Sequence, residues 1–311
     1  MEYLILKFVF GVGLLLFATR IFIKLVGRIS QRSKLSPLII GTTVVAIGTS
    51  LPELVVSGAS LIRGDLGLAW GNIVGSNIVN VLLVFPVGIL MGKLRIGSTK
   101  TQRNILILFG ATAVFMILQM WVKSGLVAGI ILLVMAVLVT VEEYLWGVDG
   151  RKHEDAKRFK HQAVEKLRTV DIIQLIFILG LIALGGVMTV RSIDGISLVT
   201  GYSTTVLGLT LTAIATSLPE LLTTIFSQEE HQDKVIIGNI MGSNLYNLLL
   251  IGGLITLFSV PQALAGREAA WLGLSTLVFG LILHRYSGKS VPRWVGLLLF
   301  AFLGGYIAME M

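Results

Sequence analysis

The chain contains no cysteine, which excludes disulfides and thiolate metal sites, and with them transport of soft metals through sulfur ligands. Charge is scarce as well: only 14% of the 311 residues are Asp, Glu, Lys or Arg, where a soluble domain carries about 25%. The four histidines, His153, His161, His231 and His284, fall in hydrophilic connections or at the end of an apolar run, so a histidine metal site inside the apolar part has no support. No phosphate-binding loop is present. Gly11-Val12-Gly13 follows no strand and opens no nucleotide fold, so the sequence does not support ATP-driven pumping by this chain.

What is abundant is apolar surface. Hydrophobic residues make up 55% of the chain and the mean hydropathy is +0.89. The repeated apolar runs are long enough to cross a bilayer, which predicts an all-α polytopic membrane protein. Ten spans are expected, over 4–26, 37–62, 66–90, 104–122, 126–146, 171–190, 203–227, 235–258, 268–284 and 293–308. The first has no small-residue cleavage site behind it and reads as a retained helix rather than a signal peptide. A hydrophilic stretch separates five spans from five, giving a first repeat over 1–146, a linker over 147–170 and a second repeat over 171–311. An odd number of spans per half makes the second half enter the membrane in the opposite sense, so the two repeats are inverted.

Basic residues set the orientation. With the N-terminus outside, 18 Lys and Arg residues fall on the cytoplasmic side, among them Arg28, Arg32, Lys34, Lys93, Arg95, Lys234 and the cluster from Arg151 to Arg168. Only Arg63, Lys123, Arg191 and Arg267 fall outside. Both termini are therefore expected outside and the central linker in the cytoplasm, in what we expect to be the cell membrane. This asymmetry accounts for the net charge of +8 without a nucleic-acid partner. Trp121, Trp146, Trp271 and Trp294 lie near span ends, where indole rings anchor at the interface.

Within this apolar background one polar phrase occurs twice. Thr49-Ser50-Leu51-Pro52-Glu53 returns as Thr216-Ser217-Leu218-Pro219-Glu220, and Gly71-Asn72-Ile73-Val74-Gly75-Ser76-Asn77 returns as Gly238-Asn239-Ile240-Met241-Gly242-Ser243-Asn244. Glu53 and Glu220, Asn72 and Asn239, and Asn80 and Asn247 are each 167 residues apart. An ionisable group at membrane depth is costly and marks a functional site by default.

The chemistry of the phrase suits a hard cation. Pro52 removes a backbone donor and clashes with the carbonyl of Gly48, so the turn from Ala46 to Thr49, with Thr42 and Thr43 before it, is expected to open. Freed carbonyls at that depth need protein or a polar cavity, and Na+ and Ca2+ favour carbonyl, hydroxyl and carboxylate oxygens. Glu53 lies one turn beyond Thr49 and can face the same cavity. Ala213, Thr216, Ser217, Pro219 and Glu220 repeat the arrangement. A single copy also fits a proline kink mended by Ser and Thr, but that reading leaves two glutamates in register unexplained. Ser76 with Asn80, and Ser243 with Asn247, share helix faces at a spacing of four. The glycines at small-xxx-small spacing fit helix packing, and the asparagines also fit interhelical hydrogen bonding.

Two ionised glutamates carry −2, and no basic residue lies in their spans. One Ca2+ or two monovalent cations balance that charge. The empty pair repels itself unless a cation or proton intervenes. Competition of unlike cations for one such site is the physical basis of obligatory exchange.

By these residues the chain resembles the sodium/calcium exchanger family, within the wider cation/calcium antiporters. The match is specific over 41–83 and 208–250 and looser elsewhere. The resemblance implies Ca2+ for Na+ antiport by alternating access, in a bundle whose second, third, seventh and eighth helices enclose the ions while the long first and sixth slide. It implies Ca2+ held by Glu53, Glu220 and the backbone oxygens of Thr49 and Thr216. Na+ sites would use Ala46, Ser50 and Ser76 on one side and Ala213, Ser217 and Ser243 on the other, with Asn80 and Asn247 lining the middle. No cofactor is implied beyond the transported ions, and a monomer is expected to function. Many relatives carry Asp where Asn247 stands, which leaves stoichiometry open and weakens the case for K+ co-transport. Ala215 stands where Gly48 does in the first copy, so the second is expected to open less freely.

A proton-coupled exchanger using the same glutamates, and a passive cation channel, remain alternatives. A membrane hydrolase is disfavoured because no His or Lys base accompanies the serines in these spans. Glu229, Glu230 and Asp233 read as a solvated loop rather than a cation patch.

Overall fold

The computed structural model describes residues 1–32, 46–97, 99–154, 169–259 and 266–310. Thr42, Thr43, Lys34, His161 and the linker basics Lys157, Arg158, Lys160, Lys166 and Arg168 lie outside the described residues, as do the side chains of Ala46 and Trp146.

Nearly all of the described chain is helical. α1 is Glu2–Arg32. A broken span follows as α2 (Ala46–Thr49) and α3 (Leu51–Ile62). α4 is Leu66–Met91, α5 Thr99–Trp121, α6 Gly125–Glu154 and α7 Thr169–Thr200. α8 runs through Thr204–Leu207, Gly208–Thr212 and Ala213–Thr216, and breaks before α9 (Leu218–Glu229). α10 is Asp233–Leu257, α11 Gly266–Arg285 and α12 Arg293–Glu310. Among the described residues nine spans are long and apolar enough to cross a membrane, with Leu51–Ile62 as a shorter apolar helix. That shorter helix belongs to the second of the ten expected spans, whose beginning lies outside the described residues.

The two helices read as sliding elements are the longest. α1 has 31 residues and α7 has 32. At 1.5 Å per residue each is about 47 Å long, well beyond a hydrocarbon core of about 30 Å, so each must tilt or project from the membrane. The sequence reading placed the end of the sixth span at 190 and Arg191 in a connection, but α7 continues to Thr200. Hydropathy stops at Arg191. The helix does not, because it carries Asp194 against Arg63 from the end of the second span in an ion pair.

Packing divides the apolar residues into two clusters. The larger is built from α3 to α6 and α8 to α12 and contains no residue of α1 or α7. The smaller joins α1 and α7, through Leu15, Ala18, Phe22, Ile182, Val190 and Ile193, to Val56 of α3 and a few neighbours. α1 and α7 approach closely over glycine. A Cβ on Gly185 would stand 2.9 Å from the Gly11 carbonyl oxygen, so neither position can carry a side chain without parting the helices.

Trp121 and Trp294 are exposed, as anchoring rings would be. Trp271 departs from that reading: it is partly buried and packs edge-on against Tyr306, with ring centroids 5.4 Å apart.

At one end of the bundle, Asp65 caps α4 by accepting from the Leu68 N–H (3.0 Å) and also accepts from the Thr204 hydroxyl (2.9 Å). At the other, residues 94–96 pair with 288–291 through backbone bonds, and the Arg95 N–H donates to Asp233 (3.1 Å).

Candidate functional site

Two helix breaks build the site. At Ser50 (φ −80°, ψ 6°) and Ser217 (φ −80°, ψ 4°) the backbone leaves helical geometry, and α3 and α9 restart with a proline in their first two positions. Proline is tolerated there because first-turn N–H groups have no intrahelical partner. Ser-x-x-Glu at a helix start is a capping-box pattern, in which the serine hydroxyl normally bonds its own helix. Neither serine does so. The Ser50 hydroxyl donates instead to the Glu220 carboxylate (3.4 Å), and the Ser217 hydroxyl donates to that of Glu53 (3.4 Å). Each half therefore supplies a hydroxyl to the other half's acid. Both glutamates sit in the first turn of their helices, where the helix dipole favours negative charge.

The network continues in matched pairs. The Thr49 hydroxyl donates to Asn239 Oδ1 (3.0 Å) and lies 3.2 Å from Ser243 Oγ. Its counterpart Thr216 donates to Asn72 Oδ1 (3.1 Å) and lies 3.3 Å from Ser76 Oγ. Glu53, Glu220, Thr49, Thr216, Asn72, Asn239, Ser76 and Ser243 are all completely buried. The two carboxyl groups are within electrostatic reach of each other. Among the described residues no cation pairs with either, and no three acidic, histidine or cysteine side chains are placed to hold a metal ion together. Glu53 Oε2 and Glu220 Oε2 are buried with no hydrogen-bond partner. Carboxylate, hydroxyl and amide oxygens converge there, a donor set suited to a hard cation.

The close approach that assembles this network depends on α4 meeting α8. A Cβ on Gly71 would lie 2.5 Å from the Thr205 carbonyl oxygen, and one on Gly75 2.6 Å from that of Leu209. Three π-helical turns also border the site: Asn80–Val84, Gly208–Thr212 and Asn247–Ile251. Such turns leave carbonyls out of register and recur at functional sites. The first and third are 167 residues apart and begin at the predicted Asn80 and Asn247.

The pairing is not complete. Asn80 donates to Asn244 Oδ1 (3.0 Å), and Asn244 donates to the Asn77 carbonyl (3.3 Å). Asn247, the counterpart of Asn80, is buried with both amide atoms unpartnered. Ser243 donates to Glu220 (3.1 Å). Asn72 donates to Ser57 (3.0 Å), while its counterpart Asn239 leaves its amide nitrogen unpartnered.

Eleven of the twelve residues singled out in the sequence are thus placed in or beside one buried network, and Ala46, whose side chain is not described, begins the turn that leads into it. The carbonyl of Ala213 accepts from the Ser217 N–H (3.0 Å), and the Thr216 hydroxyl, whose single proton goes to Asn72, lies 3.4 Å from it. Sequence reasoning missed Ser57, Thr224 and Gln228, which continue the glutamate faces. The spacing Glu53–Ser57 and Glu220–Thr224–Gln228, one helical turn each, is the signal that could have found them.

Comparison with known proteins agrees with this architecture. The family profile described as sodium/calcium exchanger protein matches residues 3–143 and 170–311. The sodium/calcium exchanger MaX1 of Methanosarcina acetivorans is 29% identical over 93% of both chains. The inner membrane protein YrbG of Escherichia coli is 31% identical over 87% of this chain and 84% of its own. A solved structure of the sodium-calcium exchanger NCX_Mj, soaked with Na+ and Sr2+, superposes with a TM-score of 0.73 at 26% identity, over 99% of this chain and 98% of that one.

Proposed function

Since the chain belongs to the sodium/calcium exchanger family, we propose that it exchanges Ca2+ for Na+ across a membrane, the two ions competing for one site between Glu53 and Glu220. The observation that carries this is the pair of unpartnered carboxylate oxygens, Oε2 of each glutamate, at the centre of a buried network where no basic side chain among the described residues pairs with them. An orphaned buried carboxylate oxygen costs several kcal/mol, on the order of the desolvation of an ion; a bound cation removes that cost.

Glu53, Glu220 and the carbonyls of Thr49 and Thr216 hold Ca2+. Ala46, Ser50 and Ser76 on one side, and Ala213, Ser217 and Ser243 on the other, hold Na+. Asn80 and Asn247 line the centre. The unit is two inverted repeats, 1–146 and 171–311, joined by the linker 147–170. Its two separate apolar clusters support alternating access: α1 and α7 share a small core with little of the rest, so they can move as a pair over the breaks at Ser50 and Ser217. The protein is an integral membrane transporter rather than an enzyme and needs no resident cofactor. We place it in the cell membrane with both termini outside, working as a monomer.

Reconstitution in liposomes tests this. An outward Na+ gradient at clamped pH should drive Ca2+ uptake, and Glu53→Gln or Glu220→Gln should abolish it in folded protein. Uptake needing only a pH gradient would favour proton coupling, and Ca2+ flux without any counter-ion would favour a channel. Wild-type flux in either variant would refute the site.

A further inference from the structure

We propose that the face of α9 carrying Thr224 and Gln228, with Asn239 of α10, is the route by which a partly hydrated cation reaches Glu220 from the membrane side on which Arg95 and Asp233 lie. The proposal rests on the exchange reading above and adds a pathway to its site.

Glu220, Thr224 and Gln228 are spaced four apart on α9, so their side chains form one row from the site to the end of the helix at Glu229. Thr224 is fully buried and Gln228 is 6% exposed. Thr224 Oγ1 and Gln228 Oε1 have no hydrogen-bond partner, nor has the amide nitrogen of fully buried Asn239. Each such group is destabilising if nothing ever satisfies it. Most buried polar groups in folded proteins are paired; here two of the orphans are oxygens that a cation can use, and the third, the Asn239 amide N–H, is a donor that suits the water carried by a partly hydrated ion.

The other half of the molecule is the internal control. The counterparts of Thr224 and Asn239 at the offset of 167 are Ser57 and Asn72, and these are bonded: Asn72 donates to Ser57 Oγ (3.0 Å), and the Ser57 hydroxyl donates to the Ala69 carbonyl (3.3 Å). The counterpart of Gln228 is Leu61, which offers no ligand at all. One side of the site is closed by satisfied polar groups and an apolar residue. The opposite side keeps three unsatisfied groups in the same positions.

The facing helix fits the role. α4 and the residue that follows it present Gly88 and Gly92 to this row: a Cβ on Gly88 would stand 3.1 Å from Thr224 Cγ2, and one on Gly92 would collide with the Gln228 amide. The absent side chains leave the Gln228 amide lying against bare backbone, where it closes the route and can swing aside. Hydroxyl and amide oxygens are hard ligands for Na+ and Ca2+. They are neutral, so an ion can shed part of its water there without being trapped, as conduction along a path requires.

The absence of native cysteine makes the test direct. Thr224→Cys and Gln228→Cys in the full-length protein, in sealed vesicles of either orientation, should react with a membrane-impermeant thiol reagent from the Arg95 and Asp233 side, and Ca2+ should slow the reaction severalfold. Leu61→Cys should not react from that side. Gln228→Cys, at the helix end, remains informative if Thr224→Cys fails to accumulate. In flux assays Thr224→Val, which keeps the shape and loses the hydroxyl, should raise the apparent KM for Ca2+ about fivefold on that side alone, and Thr224→Ser should restore it. Labelling from the opposite side or from neither, or a KM change equal on both sides or absent, overturns the route. Absence of Na+-driven Ca2+ flux in the unsubstituted protein would sink the exchange reading instead, and the thiol result would still report on the pathway.

Discussion

Replacing Glu53 by Gln should make the empty protein more resistant to heat and the Ca2+-loaded protein less so. The change is nearly isosteric. The amide oxygen can still accept from the Ser217 hydroxyl, which sits 3.4 Å from the carboxylate, so one contact survives. The other carboxylate oxygen has no partner to lose, and an amide nitrogen there costs about 1–3 kcal/mol as an unmet donor. Against that, a buried charge whose desolvation costs several kcal/mol disappears, together with its repulsion from Glu220, which lies within electrostatic reach. The balance for the empty protein is a gain of about 2 kcal/mol, or roughly 4 °C in Tm for a chain of this size. With Ca2+ a hundredfold above Kd the unsubstituted protein gains about 2.7 kcal/mol. The variant should gain almost nothing, because one carboxylate leaves a divalent cation in charge excess. Thermal scans in detergent, in Na+-free buffer at mildly alkaline pH with and without Ca2+, should therefore show the order of the two melting temperatures reverse. A variant less stable by the same amount in both buffers would mean ordinary packing loss, and equal stabilisation of both by Ca2+ would refute Glu53 as a ligand.

Two further outcomes follow from the same geometry. Gly75→Ala should destabilise by about 1–3 kcal/mol and weaken Ca2+ binding in a titration, since its Cβ would stand 2.6 Å from the Leu209 carbonyl and 2.7 Å from the Ala213 Cβ; Gly58→Ala, where a Cβ meets no atom within 4 Å, should be neutral or stabilise by about 0.5–1 kcal/mol in the same denaturation series. Asn247→Asp adds a carboxyl to a position whose amide atoms are both unpartnered, and should shift the Na+ to Ca2+ preference or the pH dependence of flux without abolishing it; identical profiles would show that the side chain does not face the ions.

Much of this architecture is legible in the residues because membrane depth leaves few options. Apolar runs mark the spans, and every polar residue inside one needs a reason. The reading fails where helices outrun hydropathy. α7 passes Arg191 because Asp194 finds Arg63 on a neighbouring helix, a tertiary fact that no window on one segment contains. It fails again at Trp271, which meets Tyr306 rather than the interface. The family resemblance implied Ser50 and Ser217 as ligands beside residues of their own halves. That each reaches the glutamate of the opposite half is a tertiary contact that neither phrase shows by itself.

The repeated phrases also promised more symmetry than the fold delivers, and the shortfall bears on mechanism. Ser50 and Ser217, Thr49 and Thr216, and Asn72 and Asn239 as acceptors make the same bonds at the same offset. Farther from the centre the counterparts diverge: Asn80 is bonded where Asn247 is not, and Ser57 where Thr224 is not. A site closed identically by both repeats would be sealed to both sides of the membrane or open to both. Neither state can couple two opposed fluxes. Exchange needs the halves equal at the ions, so that either cation meets the same cage from either side, and unequal beyond them, so that one side is shut whenever the other yields. On the proposed exchange reading, matching residues supply the first condition, and the differing hydrogen bonds of the outer groups supply the second.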